Sequence, residues 1–247
     1  MVSIGIKLFP DGKKFYESVK ETEIGESIDF IEIMALVGEE YGFLEDWKKP
    51  VVIHHEHSGF GINHANPDKW KQNKRSTQWA VHLADKFRAE KIIVHPGHWD
   101  HKNCSIQEMV RQLTALWDKR MIFENLIYIS DNFYMFCCEK QELEYLVKKF
   151  KTGICLDLAH AMLTACQLRK KPEAVLETLR TLPIRHVHVS DSFLKRPIDM
   201  HLHIGSGNLP LKKCLKYIPY SVDITLETGK DIDGYKKDKV FLRRCLE

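Results

Sequence analysis

The chain contains no run of about 18 apolar residues that could span a bilayer, and no basic-then-apolar leader opens it. A cytoplasmic protein with no membrane partner is therefore expected. Its seven cysteines (Cys104, Cys137, Cys138, Cys155, Cys166, Cys214 and Cys245) are odd in number and lack any CxxC spacing, which argues against a disulfide framework and a thiolate zinc site. A formal charge of +3 is too slight to announce nucleic acid by itself. A phosphate-binding GxGxxG is also missing: Gly205-Ser206-Gly207 opens no strand-to-helix dinucleotide unit, so a doubly wound open sheet loses its main support. No linker, low-complexity stretch or internal repeat divides the chain, and no segment marks a protein partner. Its 247 residues fit one barrel-sized domain over 1–247.

What is present is a series of short β-rich runs: VSIGIK from Val2, IDFIEIMAL from Ile28, VVIHHEH from Val51, KIIVHP from Lys91, MIFEN from Met121, TGICLDLAH from Thr152, IRHVHVSDS from Ile184 and SVDITLET from Ser221. Between them lie stretches of helical periodicity at 68–89, 106–119, 139–150, 172–182 and 211–218, with weaker ones at 11–23 and 41–49. Strand alternating with helix implies a parallel sheet, and eight repeats predict an (α/β)8 TIM barrel.

The polar residues of this barrel collect where the strands end. His57 follows the third run and His95 the fourth; a period of two puts His55 on the face of His57 and His54 on the other, so His57 is the preferred metal ligand and His55 its substitute. Glu124 follows Met121-Ile122-Phe123, where burying its charge would require a cation or donor. Asp157 and His160 stand three apart at a strand-to-helix turn, although Asp157 also suits a helix N-cap. His188 ends the seventh run, Asp199-x-His201 sets a hard oxygen beside an imidazole in the next loop, and Glu227 ends the eighth. In such a barrel these ends converge on one mouth. The mixture of carboxylate and imidazole favours Zn²⁺ or Mn²⁺ over Ca²⁺ or an iron–sulfur centre.

Taken in order, His95-Pro96-Gly97, Glu124-Asn125, Asp157-x-x-His160-Ala161, His188-Val189-Ser190-Asp191-Ser192, Asp199-x-His201-x-x-Ile204-Gly205-x-Gly207 and Glu227-Thr228 resemble the motifs of the endonuclease IV family, among the xylose-isomerase-like TIM barrels. His57 with Ile62-Asn63 is similar to that family's first ligand motif. The resemblance implies up to three zinc ions: one on His57, His95 and Glu124, a second on Glu124, Asp157, His188 and Glu227, and a third on His160, Asp199 and His201. It implies a phosphoester hydrolase acting on abasic or single-stranded DNA, with Glu124, Asp157 and Glu227 at the chemistry. His203, Lys195 and Phe60 are the candidate substrate contacts. Two departures weaken the expected grip on duplex DNA: 38–50 contains no Arg, and the inserting Tyr-Leu pair of the repair enzymes is replaced by Phe60-Gly61. The alternative is a sugar or sugar-phosphate isomerase or epimerase, whose relatives share only Glu124, Asp157, His188 and Glu227 and bind a small phosphorylated sugar. A noncatalytic nucleic-acid-binding protein with structural metal is the third class, disfavoured because structural zinc closes with four ligands.

Overall fold

Residue parity along the strands decides the architecture. In the computed structural model, which describes residues 2–22, 27–130, 132–194 and 198–246, eight strands close into a parallel barrel: β1 (Ile4–Leu8), β2 (Ile31–Ala35), β3 (Val51–His55), β4 (Ile92–Val94), β6 (Met121–Glu124), β9 (Ile154–Asp157), β10 (Ile184–Val189) and β11 (Asp223–Leu226). Alternate residues such as Ile4, Ile6, Ile31, Ile33, Phe123, Leu156, Val187 and Ile224 face outward and join the main core under the helices. Their neighbours Phe30, Val52, Ile93, Ile122 and Cys155 form a small second core inside the barrel. Gly5 allows that inner packing, because a Cβ there would lie 2.4 Å from the Phe30 ring.

Among the described residues the helices are α1 (Lys13–Lys20), α2 (Trp70–Lys86), α3 (Ile106–Leu116), α4 (Lys140–Phe150), α5 (Leu158–Gln167), α6 (Pro172–Leu179), α7 (Leu211–Cys214) and α8 (Ile232–Leu246). The expected helix at 41–49 is reduced to a 3-10 turn at Gly42–Leu44. Conversely, α8 has no counterpart in the sequence reading, and for α5 the sequence marks only the strand-to-helix turn and the Asp157 cap, not the helix beyond them. Every residue of α5 from Leu158 to Ala165 is buried, so it has no polar face to generate an amphipathic pattern. Three short strands, β5 (His98–Trp99), β7 (Ile129–Ser130) and β8 (Phe133–Met135), form a separate antiparallel sheet built from the loops that follow β4 and β6. All seven cysteines are free. No helix among the described residues is long and apolar enough to cross a membrane.

The loop after β10 is tied down by one carboxylate. Asp191 pairs with Leu202 through reciprocal backbone bonds of 2.9 Å. Its Oδ1 accepts from the amides of Ser192 (2.8 Å) and Leu209 (3.1 Å), and its Oδ2 from those of Gly205 (2.9 Å) and Gly207 (3.1 Å). Gly207 is needed for this approach, since a Cβ would come within 2.2 Å of the Ser192 carbonyl oxygen. The carboxylate thereby fixes the segment carrying Asp199 and His201. Asp191→Ala should lower the free energy of unfolding by about 3 kcal/mol, because charged hydrogen bonds contribute about 1.5–3 kcal/mol and buried amides would lose their acceptor. Denaturant titration checks this, and a loss below about 1 kcal/mol would mean that other contacts hold the loop.

Candidate metal centre

Glu124 is 1% exposed at the end of β6 and is ringed by imidazoles. Its Oε2 lies 3.2 Å from His54 Nε2 and 3.1 Å from His95 Nε2, and its Oε1 lies 3.2 Å from His160 Nδ1 and 3.4 Å from His188 Nδ1. His188 Nδ1 is also 3.1 Å from Glu227 Oε1 and 3.9 Å from Asp157 Oδ2. At the rim, Asp199 Oδ2 meets His160 Nε2 at 3.2 Å and His201 Nε2 at 2.7 Å, while Glu227 Oε2 is 3.3 Å from His201 Nε2. The His57 ring stacks on His95, with centroids 4.9 Å apart. His57, His95, Glu124, His160, Asp199, His201 and Glu227 line one cavity of about 210 Å³; Asp157 and His188 border it through the contacts just given. A larger groove of about 740 Å³, which includes Ser3, Asp29, Pro50 and Lys91, lies at the opposite end by the strands' amino termini, away from the face on which barrel chemistry collects.

Local structure aims these donors. Asn125 grips the backbone of Asp157, donating from Nδ2 to its carbonyl (2.9 Å) and accepting from its amide (2.8 Å). The Asn125 carbonyl accepts from His160 Nδ1 at 2.8 Å, which turns Nε2 of that ring toward Asp199. Asp157 fulfils both readings of its position: Oδ1 caps α5 by accepting from the His160 amide (2.6 Å), and Oδ2 is buried without a hydrogen-bond partner. His188 Nε2 donates to Glu32 Oε2 at 3.0 Å, so its Nδ1 faces the carboxylates.

The electrostatics describe a site built for positive charge. Burial drives His57 well below the usual imidazole range and His95 down to about 4, so both present neutral nitrogens suited to a cation. Against the same burial, the neighbouring carboxylates hold His160 and His188 well above that range and push His201 up to about 10. Burial would also raise Glu124, Glu227 and Asp199, yet the surrounding imidazoles keep all three well below the usual carboxylate range. Asp157 is the exception, raised to about 7 by burial and by the charges of Glu124, Asp199 and Glu227 despite His160. These residues fit a metal ion. Among the described residues, buried Asp157 Oδ2, His188 Nδ1, His95 Nδ1 and Asp199 Oδ1 find no hydrogen-bond partner. Bonds of about 2.0–2.1 Å in a tetrahedron place ligand atoms about 3.3 Å apart, close to the spacings around Glu124 and His188.

Several expectations need correction. His55 is not a substitute ligand: its Nε2 is 3.1 Å from Thr77 Oγ1 on α2, outside the barrel. His54 faces inward instead. Strand β3 ends at His55, so the alternation that paired His55 with His57 stops before His57 is reached. His203 is also turned from the cavity, with Nδ1 at 2.6 Å from Asp238 and Nε2 at 2.7 Å from Asp231. Phe60 packs edge-on against His57 at 4.9 Å, and Lys195 lies outside the described residues. Glu32 and Lys7 were missed altogether. A charged residue between Ile31 and Ile33, and another between Ile6 and Leu8, was the available signal: a polar side chain at inward parity in an otherwise apolar strand.

Comparison with known proteins places the chain among barrels of this fold. The curated "Probable endonuclease 4" of Mesomycoplasma hyopneumoniae (strain J) is 25% identical over 173 residues, covering 66% of this chain; the match spans 63% of that relative's length. Among solved structures, endonuclease IV from Thermus thermophilus matches 99% of this chain and 98% of its own at 20% identity, with a TM-score of 0.71. A D-tagatose 3-epimerase-like protein matches 99% of this chain and 97% of its own at 22% identity, with a TM-score of 0.70. These structures share the fold and differ in named activity. The family model described as "Xylose isomerase-like TIM barrel" matches residues 38–245, and the chain belongs to that family.

Proposed function

We propose that the chain is a metal-dependent phosphoester hydrolase whose chemistry is that of an abasic-site endonuclease or 3′-phosphodiesterase, with reduced engagement of duplex DNA. The observation that carries this reading is the second group of donors at the rim: Asp199 with His160 and His201 within 3.2 Å, beyond the four positions an epimerase would share. His57, His95 and Glu124 would hold one divalent ion, Glu124, Asp157, His188 and Glu227 another, and His160, Asp199 and His201 a third, with zinc or manganese suiting the donors. Bound ions of this kind polarise phosphoryl oxygens and supply a water activated near neutral pH. The chain's own groups orient the reaction. Ionised Glu227 faces the cavity and can accept a hydrogen from the attacking water, while Leu126, Ile127 and Met135 on the cavity wall limit access of bulk solvent.

A second reading, a sugar or sugar-phosphate epimerase, draws on one feature: Glu124 Oε1 and Glu227 Oε1 flank His188 Nδ1 at 3.4 and 3.1 Å, a pair placed to exchange a proton with substrate carbon. Metal content separates the two. Elemental analysis of zinc-loaded protein should find three ions per chain, and Glu124→Ala should reduce phosphodiester turnover more than about 100-fold while Cys155→Ala leaves it near the parent level. One ion per chain together with sugar epimerisation would establish the second reading.

The DNA preference follows from the loops. Extruding a nucleotide from a duplex costs a few kcal/mol, which inserted side chains must offset. Phe60 is half-buried against His57, and the turn after β2 carries no Arg. Abasic-site cleavage should therefore be weak on intact duplex and at least about tenfold faster on nicked or single-stranded phosphodiesters, since a saving of about 1.4 kcal/mol is a factor of ten. Parallel assays at physiological salt check this; selective incision of duplex abasic DNA would refute it.

A further inference from the structure

Below the rim, the barrel floor holds a second arrangement of charge. Lys7 on β1 is in register with Glu32 on β2. Its ammonium contacts Glu227 Oε1 and lies 3.5 Å from Glu32 Oε1. Glu32 is 0% exposed; its Oε2 accepts from His188 Nε2 (3.0 Å) and Thr225 Oγ1 (2.7 Å), whereas Oε1 has no hydrogen-bond partner. The His54 ring stacks over His188 at 5.8 Å. Glu32, His54, His188 and Glu227 are all buried, and each offers one donor atom within 4.8 Å of the other three. Two carboxylates and two imidazoles are a complete ligand set for a zinc-like ion.

We propose that these four residues form a further cation position and that this chain fills it with its own lysine. The Lys7 ammonium is a resident monovalent charge where the surrounding donors would otherwise recruit a divalent ion. Being tethered to β1, it cannot be chelated or exchanged. It also holds one oxygen of Glu227 on the barrel floor, leaving the other directed at His201 and the cavity. The lysine thus limits how many ions gather on the Glu227 side of the mouth. This inference goes beyond the proposed hydrolase and stands equally for an epimerase, because His188 and Glu227 serve in both readings while Glu32, His54 and Lys7 are assigned to neither.

The test is a difference in zinc content between two forms of the protein. After loading with zinc and gel filtration, Lys7→Met should carry one more equivalent per chain than the unaltered protein, and adding Glu32→Gln should abolish the gain. A Lys7→Met chain that folds only with added zinc would give the same answer. Equal zinc content in Lys7→Met and the parent overturns the proposal. Anomalous scattering at the zinc edge from the unaltered protein provides a check that needs no variant: no ion should be bonded to Glu32, and one found there would overturn the assignment. A parent that binds no zinc at all defeats the hydrolase reading but leaves the comparison between parent and Lys7→Met intact.

Discussion

Burial of Glu124 against four imidazoles is the interaction on which the rest of the site depends. Moving a carboxylate out of water costs several kcal/mol even after relaxation. One ion pair at about 3–4 Å returns about 4–5 kcal/mol at an effective dielectric constant near 20, so a single partner roughly balances the cost and leaves little margin. Glu124 has His54, His95, His160 and His188 within 3.1–3.4 Å, drawn from β3, the residue after β4, α5 and β10; of these, His160 and His188 are held in the charged form, whereas His95 is neutral. Its neighbours repeat the problem. Asp157, Glu227 and Glu32 are buried beside the same rings, and among the described residues lining the cavity the only ammonium belongs to Lys7. A mouth with this much buried acid is suited to added cations.

The barrel makes such crowding feasible by dividing labour along each strand. Outward residues are apolar and supply the core beneath the helices, whereas inward residues are freed from that task near the carboxyl ends. The β9–α5 junction shows the economy of the arrangement. Asp157 ends a strand, caps a helix with one oxygen and turns the other into the site, while Asn125 locks its backbone. Helix start and candidate ligand are therefore one structural event. The Asp191 carboxylate does for the rim what Asn125 does for the base, organising a loop through backbone amides so that Asp199 and His201 are presented without regular secondary structure.

Much of this was legible because the polar residues interrupt apolar strands. Glu124 after Phe123, Asp157 after Leu156 and Glu227 after Leu226 stand out against their neighbours, and the eight-run alternation implied the barrel that brings them together. Where polarity gave no contrast, reading failed. Val51-Val52-Ile53-His54-His55 is buried throughout, so its parity cannot be deduced from an alternation that is absent, and His54 and His55 exchanged faces. His203 has the composition of a site residue, but its partners Asp231 and Asp238 lie about 30 positions onward, at and within a helix that periodicity did not reveal. Glu32 and Lys7 are complementary charges on adjacent strands, a relation visible only once register is known.

The central claim is that the buried carboxylates of the mouth are balanced by bound divalent cations. Thermal unfolding of the same protein sample with excess zinc and with a strong chelator tests it most directly. Ligand at about 100 times its dissociation constant stabilises the folded state by about 2.7 kcal/mol per site. For a chain of this size, zinc should accordingly raise the unfolding midpoint by at least about 5–10 °C over the chelated sample. Coincident midpoints would contradict the account, showing that the imidazoles and Lys7 suffice to hold the acidic mouth on their own.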